Sequence, residues 1–147
     1  MSNDIKLSYI NNWASASSVT GTTAATGFPA ANTQTPQLPY LTWRTTVATT
    51  SDVRANLGSA KLTEIILLFN CNFTSVQIQA NATDSWGAPT HNSGTLTVLQ
   101  NAWNDRYTLA YVPVSPFTLQ WNRILIPTQT PVGGVSYFEL GGVWSGF

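Results

Sequence analysis

Only one histidine, His91, stands in the chain. It lies in a Gly/Pro-rich stretch, ATDSWGAPTHNSG, with no cysteine, nucleophile motif or second histidine beside it. A Ser-His-Asp arrangement would have to use it, and its surroundings read instead as those of an exposed loop histidine. The carboxylates are Asp4, Asp52, Glu64, Asp84, Asp105 and Glu139. A glycosidase needs two of them facing one another across a cleft. None sits in a recognisable motif, so Asp84 and Asp105 read as turn formers and Asp52, Glu64 and Glu139 as strand-edge charges. The sequence therefore predicts no enzyme, with glycan hydrolysis as a remote option. No run of alternating acids resembles an EF-hand loop; a calcium ion held by β-sandwich loops stays open, and no cofactor is expected. Gly133-Gly134 and Gly141-Gly142 introduce no helix and read as turns or bulges rather than phosphate cradles.

Tryptophan is the enriched class, at positions 13, 43, 86, 103, 121 and 144. Sugar-binding modules use exposed aromatic rings as flat apolar platforms beside hydrogen-bonding side chains. Trp86 with Asp84 and His91, or Trp103 with Asn104 and Asp105, fits that description. Trp43 and Trp121 lie in strand-like stretches and read as core. The loop tryptophans equally suit a protein interface.

These side chains must be carried by one domain, since 147 residues suffice for a single core spanning 1–147. Charged residues are 8% of the chain and sum to zero, which leaves no footprint for nucleic acid or an anionic membrane. Polarity comes from Thr, Ser, Asn and Gln, a composition suited to packing beside copies or neighbours. The single cysteine, Cys71, excludes an internal disulfide framework and reads as buried and inert. The N-terminus lacks the features of a signal peptide and no apolar run is long enough to span a bilayer, so synthesis in a cytoplasm is expected. Asn72-Phe-Thr and Asn81-Ala-Thr then read as chance matches to the glycosylation pattern.

The strongest core signal is Asp52–Asn81. Val53, Ala55 and Leu57 alternate with Asp52, Arg54 and Asn56, Gly58-Ser59 reads as a turn, and Ile65–Phe69 reads as a central strand buried on both faces. Val76, Ile78 and Ala80 resume the alternation. Residues 5–10, 95–99, 106–112, 117–126 and 135–140 follow as strands, and 82–94 as a long exposed loop. Residues 13–39 form an extended, proline-bearing segment with little apolar mass. About eight to ten strands with no helical period predict an all-β antiparallel sandwich.

Phe28-Pro-Ala-Ala-Asn32, then Trp43-Arg44-Thr45, then Asn56-Leu-Gly-Ser59 leading into an apolar strand and Asn72, with a closing Tyr137-Phe-Glu-Leu-Gly-Gly142, resembles the discoidin-like (galactose-binding-like) jelly-roll sandwiches of tailed-bacteriophage virions. The resemblance spans roughly residues 25–142. It implies a non-enzymatic virion subunit of the tail, tail tip or capsid surface, bound to other virion proteins and to copies of itself, with binding to a host-surface glycan as the alternative. The cysteine pair of extracellular discoidin domains is missing. In a virion subunit, Trp13, Phe28, Pro29, Pro36 and Pro39 would be the anchors that residues 13–39 present to a neighbour.

Overall fold

In the computed structural model, which describes residues 10–38, 40–100 and 107–147, the period-2 patterning becomes eleven strands. They are β1 (Ser18–Gly21), β2 (Trp43–Arg44), β3 (Ser51–Thr63), β4 (Ile65–Cys71), β5 (Ser75–Asn81), β6 (His91–Thr97), β7 (Leu99–Gln100), β8 (Tyr107–Tyr111), β9 (Phe117–Ile126), β10 (Glu139–Leu140) and β11 (Gly142–Gly146). A five-stranded sheet, β1-β3-β9-β5-β6, faces a four-stranded sheet, β11-β4-β8-β7, and β10-β2 forms a short ribbon. Every pairing is antiparallel. This is the predicted all-β sandwich.

Between the sheets lie Trp13, Trp43, Ile66, Leu68, Phe73, Ile78, Ile124 and Phe138, all fully buried. Phe73 and Phe138 meet edge to face, with centroids 6.2 Å apart, a favoured aromatic geometry. A polar bridge crosses this core: Asn122 of β9 donates to the Ser145 hydroxyl of β11 at 2.7 Å.

Several local expectations are corrected. Gly58-Ser59 does not turn the chain. β3 continues to Thr63, because β9 offers partners on both sides of an irregularity between Asn56 and Lys61. Gly58 takes φ 78° there, a conformation that suits glycine at a bulge. β4 is internal to its sheet but buried on one face: Ile66 and Leu68 are covered, whereas Ile65, Leu67 and Phe69 are half-buried. The polar stretch after Trp13 contains an edge strand, β1, paired with β3 over Ser18–Gly21. His91 begins strand β6 rather than lying in a loop. Residues 135–138 are not strand, and the predicted strand over 5–10 lies mostly outside the described residues.

The largest correction concerns residues 13–39. Trp13 is fully buried in its own domain and its indole N–H donates to Thr33 Oγ1 at 3.0 Å. Gln34 donates to the carbonyls of Trp13, Ala14 and Ala16. Pro36 rests on Gly142, where a Cβ would come within 2.6 Å of it. Trp13 and Pro36 thus fill gaps in their own chain. The segment needs little apolar mass because polar side chains satisfy its backbone.

Candidate functional site

On β3, residues 52, 54 and 56 alternate with the core residues Val53, Ala55 and Leu57, so their side chains share the outer face of the five-stranded sheet. Register places Arg54 opposite Arg123 of β9, and Arg123 opposite Gln79 of β5. Asp52 is the hub. Its carboxylate accepts from Thr22 Oγ1 at 2.6 Å and from Arg54 Nε at 3.1 Å. Arg123 Nε lies 2.6 Å from the same carboxylate, an ion contact without hydrogen-bond alignment. Arg123 also donates to Gln79 Oε1 at 3.2 Å. Burial works to lower the Arg54 pKa, but the hydrogen bond and charge of Asp52, with Asp84 behind them, overcome it and hold the value above the ordinary one.

The loop after β5 folds back over this face. Asn81 staples it, donating to Ser85 O and accepting from Ala82 N and Thr90 Oγ1. Asp84 reaches Arg54 at 3.4 Å and accepts the Trp86 indole N–H at 2.5 Å. The Arg123 guanidinium lies 5.3 Å from the Trp86 ring centroid, in cation–π range. The structure therefore brings Trp86 and Asp84 together, as the sequence predicts.

His91 does not join them. It pairs with Ala80, a core-facing residue, so its ring turns to the opposite side of the sheet. There Nε2 lies 3.0 Å from the Tyr111 hydroxyl, and the ring stacks on Phe117 at 4.3 Å. Because β6 and β8 belong to different sheets, this is a cross-sheet polar contact. Burial lowers the His91 pKa and raises that of Tyr111. A base with a depressed folded pKa adds stability that is present above its unfolded value, near 6.5, and lost as pH falls through the folded value. The melting temperature is accordingly expected to drop as pH falls from 7 to 5, with a shallower drop in His91→Asn. Identical slopes in the two proteins would contradict this.

A second polar cluster lies where β2 and β10 pair, with Arg44 opposite Glu139. Arg44 N donates to Phe28 O at 3.3 Å, and Ala25 N donates to Arg44 O at 2.8 Å, so the chain before β2 runs alongside it. The Arg44 guanidinium lies 4.0 Å from the Phe28 ring centroid and 5.3 Å from that of Tyr137. Its Nε is 3.2 Å from Glu139 Oε2, again an ion contact rather than an aligned hydrogen bond. Glu139 is buried, with 4% of its side chain exposed, whereas Arg44 keeps 31%. Asn72 braces this surface by donating to Tyr137 O and accepting from Glu139 N at 2.7 Å. Thr45 Oγ1 accepts from Phe138 N at 2.8 Å. A planar cation, two rings and a buried counter-ion are thus fixed on rigid strands.

Of the anticipated interface residues, Phe28 belongs to this cluster and Pro29 is exposed beside it. Trp103, Asn104, Asp105 and Pro39 lie outside the described residues. Sequence reasoning passed over Arg44, Tyr137 and Glu139 as binding residues, although all three sit in the motifs that carry the family resemblance. It also passed over Arg54 and Arg123, each a single cation at an outward position of an alternating strand.

No protein-family model and no curated relative matches the chain. Solved structures do. Chitosan-binding module 1 of a chitosanase/glucanase from Paenibacillus sp. IK-5 superposes with a TM-score of 0.65 at 19% identity, over 93% of this chain and 98% of that one. The family 32 carbohydrate-binding module of C. perfringens NanJ, in complex with galactose, gives 0.63 at 18%, over 87% and 91%. A serum fucolectin of striped bass (Morone saxatilis) gives 0.69 at 13%, over 92% of this chain and 48% of that one. At such identities the likeness establishes a shared fold: the galactose-binding-like sandwich of carbohydrate-binding modules and lectins.

Proposed function

We propose that the protein is a non-catalytic glycan-binding module whose ligand seat is the Arg44 surface. The observation that carries the proposal is the partly exposed Arg44 side chain, its guanidinium laid against Phe28 and held by buried Glu139. Guanidinium offers five donors in one plane, and the ring beside it gives an apolar face for a sugar's C–H side. Glu139 offsets the cation, so neutral sugars with adjacent hydroxyls suit the surface better than anionic ones. The bracing by Asn72 and Thr45 keeps the entropic cost of binding low. Carbohydrate-binding modules that share the fold support the same reading.

A glycan array followed by calorimetry tests it. Arg44→Ala and Phe28→Ala are each expected to weaken binding of the selected neutral glycan at least tenfold, with the fold retained. Retention of no glycan by the wild type, or unchanged affinity in Arg44→Ala, would reject the proposal. The charge-poor composition favours one second reading, a virion subunit that docks beside neighbours at little desolvation cost. A particle reconstruction that locates the subunit decides that question.

A further inference from the structure

The outer face of the five-stranded sheet carries a polar line that the Arg44 seat does not use. Thr20 pairs with Arg54, Arg54 with Arg123, Arg123 with Gln79, and Gln79 with Asn92. One registered row thus crosses all five strands. Four inter-strand steps of about 4.8 Å make it roughly 19 Å long. Its two ends, Thr20 and Asn92, are exposed. Trp86 stands over the row with its indole N–H held by Asp84 and its ring near Arg123. The plane of the ring is therefore set before any ligand arrives.

We propose that this row with Trp86 is a second carbohydrate-binding surface, one that takes a neutral polysaccharide chain laid across the strands. The charges fit such a ligand. Arg54 and Arg123 are balanced by Asp52 and Asp84, so the face attracts neither polyanion nor polycation, while exposed Thr20 and Asn92 and the partly exposed Arg54 offer hydrogen bonds along the line, with Gln79 and most of Arg123 covered between them. A line suits a chain; a pocket would suit a single sugar. Gluing down a loop does not by itself call for Asp52, because a buried ion pair is often no more stable than apolar residues of the same volume. What the ions add is position: they aim two guanidinium planes and one indole. The proposal is independent of the Arg44 seat, with which it shares no residue.

Affinity electrophoresis of the full chain through soluble xyloglucan, galactomannan, mixed-linkage β-glucan and dextran tests it. At least one polysaccharide is expected to retard the wild type. Trp86→Ala is expected to lower that affinity at least tenfold, and Trp86→Phe, which keeps a ring, to restore most of it. Asn92→Arg, at an exposed position, probes the row without disturbing the loop, and circular dichroism confirms that each variant is folded. Weakening by Trp86→Ala or Asn92→Arg, with Arg44→Ala still retarded, supports the second surface. No retardation by any of the four polymers, or retardation that only Arg44→Ala reduces, overturns it. A loss of array binding in Arg44→Ala bears only on the first seat, so the two proposals fail separately.

Discussion

Replacing Asp52 by alanine is expected to lower the free energy of unfolding by about 3–5 kcal/mol, the range for breaking a buried ion pair from one side. The carboxylate is 2% exposed and faces both Arg54 and Arg123, and the Arg123 side chain is only 16% exposed. Without Asp52, Arg123 would remain mostly buried with no carboxylate among the contacts described, and Thr22 would lose its 2.6 Å acceptor. Asp52→Asn keeps the shape and some hydrogen bonds, so a smaller loss is expected. Urea unfolding monitored by tryptophan fluorescence measures both. A cost under about 1 kcal/mol for the alanine variant would mean that water reaches the two guanidiniums and already screens them.

Trp13→Ala is expected to cost a comparable ~3–5 kcal/mol, the range for removing a large aromatic side chain from a core. Trp13 is fully buried and bonded to Thr33. Its loss should also release the segment that Gln34 ties to the carbonyls of residues 13, 14 and 16. Hydrogen exchange of the isolated protein is expected to show protected amides in this region: Ala16 N donates to Trp13 O and Ser17 N to Asn56 O. Fast exchange across 13–38 in the wild type would instead indicate that a partner is needed to order it.

The sandwich was legible because period-2 alternation survives in β3, β5 and β9, and because Gly and Pro punctuate the loops between them. Gly58 misled because a glycine within a strand marks a bulge as readily as a turn, and only the length of β9 decides between them. The segment 13–39 misled for another reason: composition counts apolar mass but not the hydrogen bonds that Gln34, Asn32 and Thr33 return to the backbone. Trp86 and Asp84 were legible as a pair because they are neighbours in sequence. Arg44 with Glu139, and Arg54 with Arg123, were not, since strand register alone brings them together. His91 was placed in an exposed loop beside Trp86, because a Gly/Pro-rich approach hid the first residue of β6.

β11 is the last strand of the described chain, and it occupies an edge position that early segments require. It pairs with β4 along Gly142–Gly146, supplies Ser145 to Asn122, and meets Asn11 and Asn12 through Gly146 and Ser145. On a ribosome adding about 5–20 residues per second, β3, β4 and β5 would all emerge before this strand exists. The edge of β4 that β11 takes, and the backbone partners of Asn11 and Asn12, would wait unpaired for several seconds. Closure of this sheet edge must therefore follow emergence of residue 146 from the exit tunnel.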